Sequence, residues 1–150
     1  MSPETERRAD AHELFTPFGH FALSGHEAIS FPSGIPGFED CRRFVLLSAE
    51  ELAPLSCLQS VEGPPASFLV IDPRLILHDY RCMLGQTDMV RLGVTQAGVL
   101  LWLALVSFDE GQRTYVNLRA PIVINPERML GYQVMPHHSL YPLRHPLPSE

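Results

Sequence analysis

The chain has 150 residues, 45% of them apolar and 19% charged, a length that reads as a single domain and a composition that excludes a disordered segment. All eleven basic residues are arginine, and seventeen acids leave a formal net charge of −6, which argues against direct nucleic-acid contact and suits a basic protein partner. Cys41, Cys57 and Cys82, odd in number and without a CxxC pair, read as small buried side chains in a reducing compartment, and no apolar run nears the roughly 20 residues of a bilayer span.

Residues 1–14 hold charges and no apolar period, so a loose tail is expected there, followed by one domain over residues 15–150. With no apolar stretch behind its charges, this start is not a signal peptide, and the protein reads as cytoplasmic with no membrane segment. From Phe15 onward, short apolar runs alternate with Gly and Pro, the punctuation of an all-β chain. Residues 18–23 and 28–31 are expected to form a hairpin across Ser24, Gly25 and His26. In FPSGIPGF, residues 31–38, Pro32 and Pro36 fix φ while Gly34 and Gly37 can take positive φ; a tight loop follows, pinned by burial of Phe31, Ile35 and Phe38.

Residues 43–47 read as a strand, and Ser48 with Glu51 reads as a capping box for a helix of one or two turns stopped by Pro54. Residues 58–61 and 68–71 are strands separated by Glu62-Gly63-Pro64-Pro65, with Asp72-Pro73 closing the second. Residues 80–84 read as a further strand, and Thr87 as the cap of a short helix that ends at Gly93. Residues 99–108, almost wholly apolar and bounded by turn residues, read as a strand buried on both faces. Residues 114–125 alternate until Pro121 interrupts them, which predicts a bulge or an edge, and residues 130–135 form the last strand before an extended, proline-rich tail. The sum is an all-β antiparallel sandwich or barrel-like domain of about eight to ten short strands with one or two short helices.

Chemistry is sparse in this sequence. His137, His138 and His145 form the one histidine cluster, on a proline-rich tail without nearby carboxylates, so surface histidines are expected and no metal or cofactor. Ser24-Gly25-His26-Glu27 places a hydroxyl, an imidazole and a carboxylate together, but neighbours on a turn point apart. Neither GxSxG nor a phosphate-cradling glycine loop occurs. A non-enzymatic binding module is the class that remains, because sheet edges and loop rims recognise proteins without catalytic groups.

Several segments, taken in order, carry a resemblance: FPSGIPGFE at 31–39, RFVLL at 43–47, LQSVE at 58–62, FLVIDP at 68–73, DY at 79–80, VNLRAPIVIN at 116–125 and YPLRHPL at 141–147. This ordered set resembles the flagellar assembly factor FliW family over residues 15–147. The resemblance implies a small antiparallel barrel-like protein without enzymatic activity. It also implies two protein partners: flagellin, and CsrA, an RNA-binding translational regulator that represses flagellin synthesis. In such a switch the protein holds CsrA off the flagellin messenger until accumulating flagellin takes the protein away. Candidate partner contacts are the polar residues of the shared motifs, Gln59, Glu62, Asp72, Asn117 and Asn125, with turn or cap work as the competing explanation, favoured for Asp72 and Asn125 before their prolines. Phe31, Ile35, Phe38 and Pro121 are expected to shape the fold, and the free protein to be a monomer.

Overall fold

A computed structural model of the chain describes residues 13–17, 19–22, 27–94, 100–136 and 139–147. Within them lie ten strands: β1 (Glu13–Thr16), β2 (Gly19–Ala22), β3 (Ile29–Ser30), β4 (Arg43–Leu47), β5 (Ser56–Ser60), β6 (Ser67–Ile71), β7 (Leu101–Phe108), β8 (Thr114–Asn125), β9 (Leu130–Gln133) and β10 (His145–Pro146). A 3₁₀ turn spans Pro73–Leu75, and one helix, α1, spans Gln86–Leu92.

Seven strands close into a barrel in the order β8-β7-β6-β5-β4-β3-β9, with β9 returning to β8. Neighbours are antiparallel except β3 and β9, which meet in parallel at Ser30 and Leu130. β10 adds to the outside of β8, where His145 faces Val116. Closure removes the long open edges that would otherwise invite aggregation.

Alternation along the strands fills both faces. Phe44, Leu58, Val70, Leu103, Ile122 and Ile124 point into the barrel around Phe31, which is wholly buried and meets the Phe44 ring edge-on at 5.1 Å. On the outside, the 3₁₀ turn region and the C-terminal tail cover Leu69, Ile71, Val116 and Leu118, while α1 brings Leu92 onto Val123 and Val134. The apolar run at 99–108 has this origin: Leu103 and Leu105 face inward, Ala104 and Val106 outward, and only the end of β7 emerges, with Phe108 half-exposed.

β8 bends at its middle. Leu103 pairs with Ile122 and Leu105 with Asn117, so residues 118–121, Pro121 among them, bulge opposite the lone Ala104. The bulge lets β8 exchange neighbours: its first half carries β10 and its second half β9. Pro121 has no N–H to lose there, and its carbonyl accepts from the Val134 amide at 2.9 Å.

Four local expectations are corrected. Residues 19–22 pair backward with Glu13–Thr16, whose first two residues fall in the stretch read as tail, and β3 pairs with β4 and β9 instead of forming a hairpin with residues 18–23; residues 1–12 and the Ser24-Gly25-His26 turn lie outside the described residues. Ser48 caps no helix: its hydroxyl meets that of Ser56 at 3.1 Å, across the ends of β4 and β5, and residues 50–54 form turns. Residues 80–84 join no ladder. Thr87 lies inside α1, whose N-cap is Gly85 without a side-chain bond, although Gly93 ends the helix left-handed at φ 70 as expected.

In the 31–38 loop, Gly34 sits at φ 65 and a Cβ there would stand 2.7 Å from the Glu39 backbone, so only glycine fits. Phe31 and Ile35 are buried, but Phe38 stays 44% exposed, its ring edge-on to Phe68 at 5.0 Å.

Candidate functional site

Of the five polar candidates, four spend their side chains on the backbone. Gln59, buried in β5, donates to the Ser60 carbonyl at 3.2 Å and accepts from the Ser67 hydroxyl on β6. Asp72, at the far end of β6 from Ser67, accepts the Arg74 amide at 2.9 Å and so caps the 3₁₀ turn. Asn117 Oδ1 accepts the amides of Arg119 and Ala120 at 3.1 and 3.0 Å, satisfying donors that the β8 bulge takes out of the ladder. Asn125, 2% exposed, donates to the Leu92 carbonyl at 2.7 Å and accepts from the Glu127 amide at 3.0 Å, tying the end of α1 to the end of β8.

Glu62 alone stays in solvent, with Arg43 at 4.0 Å as an exposed ion partner. No hydrogen bond or ion pair joins any two of the five among the described residues. They mark several corners of one barrel and not one constellation.

The bulge of β8 is where distant segments converge. Tyr80 donates its hydroxyl to the Leu118 carbonyl at 2.8 Å, Gln133 donates to the Ala120 carbonyl at 3.0 Å, and Arg119 donates to the Tyr141 carbonyl at 2.8 Å. Tyr80 and Tyr141 stack at 4.6 Å, and Arg144 lies over the Tyr115 ring at 4.1 Å. Burial pushes the Tyr80 hydroxyl well above the ordinary tyrosine range, so it remains a donor at any physiological pH.

A groove of about 1120 Å³ opens beside this junction, between residues 81–91 on one side and 133–136 with 139–141 on the other. Cys82 lies in its wall; burial, with Asp88 adding repulsion, raises that thiol to about 11, which keeps it protonated and a poor nucleophile. Burial likewise raises Cys57. Asp109 is held below the usual carboxylate range, chiefly by the Arg113 amide, with the Tyr115 hydroxyl and the Gly111 amide adding to it, where it folds the β7–β8 turn.

Among the described residues no group of three or more His, Cys, Asp or Glu side chains is placed to hold a metal. His137 and His138 lie outside those residues, and His145 is taken up by β10, its Nδ1 buried without a hydrogen-bond partner. No helix among the described residues is long and apolar enough to cross a membrane.

The groove escaped the motif reading because its residues belong to no shared segment before Tyr141. The one signal pointing to it was the reading of residues 80–84 as a strand.

Comparison with known proteins places this architecture. The family model described as FliW protein matches residues 15–147. Proteins named flagellar assembly factor FliW are similar at 36% identity over 132 residues in Natranaerobius thermophilus, covering 87% of both chains, and at 36% over 132 residues in Geobacter sulfurreducens, covering 87% of this chain and 82% of that one. The crystal structure of the flagellar assembly factor FliW superposes with a TM-score of 0.79 at 31% identity, covering 92% of this chain and 98% of the other.

Proposed function

The chain belongs to the FliW family, and from that premise we propose that it is a non-enzymatic, cytoplasmic regulator of flagellar assembly that works as a monomer with two protein partners. It binds a CsrA-type RNA-binding regulator and lifts its repression of the flagellin messenger, and flagellin competes for it. The observation that carries the reading is the match over residues 15–147 together with a solved FliW structure of the same closed barrel.

The physical requirement is modest. Two partners draw on one pool of free protein, so whichever accumulates takes the larger share by mass action. Rigidity serves such a role, since a closed barrel with its bulge and helix end tied down presents loops in fixed places. Of the polar candidates, Glu62 is the side chain exposed to meet a partner, while Gln59, Asp72, Asn117 and Asn125 hold backbone at separate corners of the barrel.

The acidic balance supports the regulatory half. A net charge of −6 brought beside RNA-bound CsrA repels phosphates without occupying the RNA groove itself. The test is a displacement assay with labelled flagellin leader RNA on CsrA. Adding this protein is expected to release the RNA, more weakly as salt rises, and adding flagellin to restore the RNA complex. Release that is indifferent to salt removes the electrostatic part; no release removes the CsrA role and leaves a flagellin-binding chaperone.

A further inference from the structure

The groove beside the β8 bulge has a wall that reads as a strand and pairs with no other strand among the described residues. Residues 81–85 alternate in exposure: Arg81, Met83 and Gly85 are exposed, while Cys82 and Leu84 are half-buried against Leu92, Val123 and Val134. Gly85 is extended, at φ −74 and ψ 169. From sequence, residues 80–84 also read as a strand, yet among the described residues no strand lies alongside.

Hydrogen bonding locates the vacancy. The Arg81 amide donates to the Tyr141 hydroxyl at 2.9 Å, and the Gly85 carbonyl accepts from Met89 at the start of α1. Between them, the amides and carbonyls of Cys82, Met83 and Leu84 have no partner among the described residues. In extended backbone, every second residue turns both its N–H and its C=O to the same edge. Met83 therefore presents its pair on the side where Arg81 meets Tyr141, and Tyr141 is part of the groove.

We propose that residues 81–85 are a vacant strand edge that takes an extended segment of a partner protein, apolar and acidic at alternating positions, as an added β-strand. Main-chain bonds to Met83 supply the register, and side chains at alternate positions supply the selectivity. The apolar face of the segment turns to the side of Cys82 and Leu84, and Met135, 63% exposed in the groove lining, offers it a flexible thioether able to adapt to different side chains. Charge selects its other face, the side on which Arg81 and Met83 lie: Arg81 and Arg91 both line the groove, are exposed and form no ion pair among the described residues, with Asp88 the one carboxylate in the same lining. In a chain of net charge −6 this is a local excess of positive charge, complementary to an acidic strand. This surface extends the regulatory reading and does not depend on which protein supplies the strand.

The test uses the full chain and a capped synthetic peptide in which Glu alternates with Leu or Val, followed by residue-resolved amide exchange. Bound peptide is expected to slow exchange at Met83 by at least about tenfold, as a new cross-strand bond should. Met83→Pro removes that N–H at an exposed position and is expected to weaken the peptide at least about tenfold with an unchanged unfolding midpoint, whereas Met83→Ala keeps most of the affinity. A peptide with Lys in place of Glu should bind at least about tenfold more weakly. Absence of binding, binding that leaves Met83 exchange unchanged, or equal affinity of the Pro variant would overturn the proposal. So would preference for a peptide of the same composition arranged at helical spacing.

Discussion

Asn125→Asp is nearly isosteric, and the structure makes it worse than truncation. Asn125 is 2% exposed and does two things at once: its amide donates to the Leu92 carbonyl and its carbonyl accepts the Glu127 amide. Asn125→Ala loses both and leaves the Leu92 carbonyl without this donor, a cost of about 2–4 kcal/mol from two unmade bonds at roughly 1–2 kcal/mol each. Aspartate keeps the acceptor for Glu127 but sets a carboxylate oxygen 2.7 Å from the Leu92 carbonyl, acceptor against acceptor, with the charge desolvated. At neutral pH Asn125→Asp should therefore fall below Asn125→Ala by about 1 kcal/mol or more.

The pH dependence separates this reasoning from a simple packing loss. Burial and the facing carbonyl raise the folded-state pKa of the new aspartate above its unfolded value near 4. Its penalty is thus absent below that unfolded value, where the protonated carboxyl can donate to Leu92. It grows as pH rises from there to the folded-state pKa and then stays constant. Urea denaturation of wild type and both variants across pH 4–7.5, each variant referred to wild type at the same pH, measures it. An Asn125→Asp variant as stable as Asn125→Ala at neutral pH, or a deficit that does not change with pH, would refute the role given to Asn125.

Gly131→Ala places a Cβ 2.5 Å from the Phe31 ring, which is wholly buried, so overpacking should cost about 1–3 kcal/mol in a denaturant titration. Tyr80→Phe keeps the stack on Tyr141 but leaves the Leu118 carbonyl without its donor, for a loss of about 1–3 kcal/mol in the same assay. Asp109 has a lowered folded-state pKa, so its stabilising contribution is complete above the ordinary aspartate range and is lost as pH falls through the lowered value. Stability measured against pH should show a shallower acid decline in Asp109→Ala than in wild type. Iodoacetamide labelling of Cys82, with its thiol raised to about 11, should be slow at neutral pH and accelerate about tenfold per pH unit up to pH 10.

Strands with a strong local pattern were legible. Arg43–Leu47, Leu101–Phe108 and Thr114–Asn125 emerge because each is an apolar run or alternation between turn residues, and the bulge in the last was signalled by Pro121. Pairing was less legible, because nearness in sequence does not decide it. β3 finds β4 and β9, and residues 19–22 turn back to Glu13–Thr16. Ser48 shows a local motif overridden by tertiary context: the capping-box spacing is present, but the ends of β4 and β5 bring Ser56 to its hydroxyl. Residues 80–84 read as a strand, and among the described residues they lack the neighbour that would make one.

The polar motif residues show the limit for sites. Gln59 and Asn125 stand in apolar strands, and sequence alone does not distinguish a side chain reaching outward to a partner from one reaching to the next backbone. Burial distinguishes them: both are nearly inaccessible, and their bonds run to Ser60, Ser67, Leu92 and Glu127. Glu62 could be told apart beforehand only by its place among Gly63, Pro64 and Pro65, where a turn exposes it.

Calorimetric titration of this protein into CsrA, repeated with flagellin present, tests the partner switch most directly. The account predicts heat of binding to CsrA that flagellin abolishes, with flagellin binding on its own. Binding to neither protein would contradict the regulatory role while leaving the barrel and its family as described.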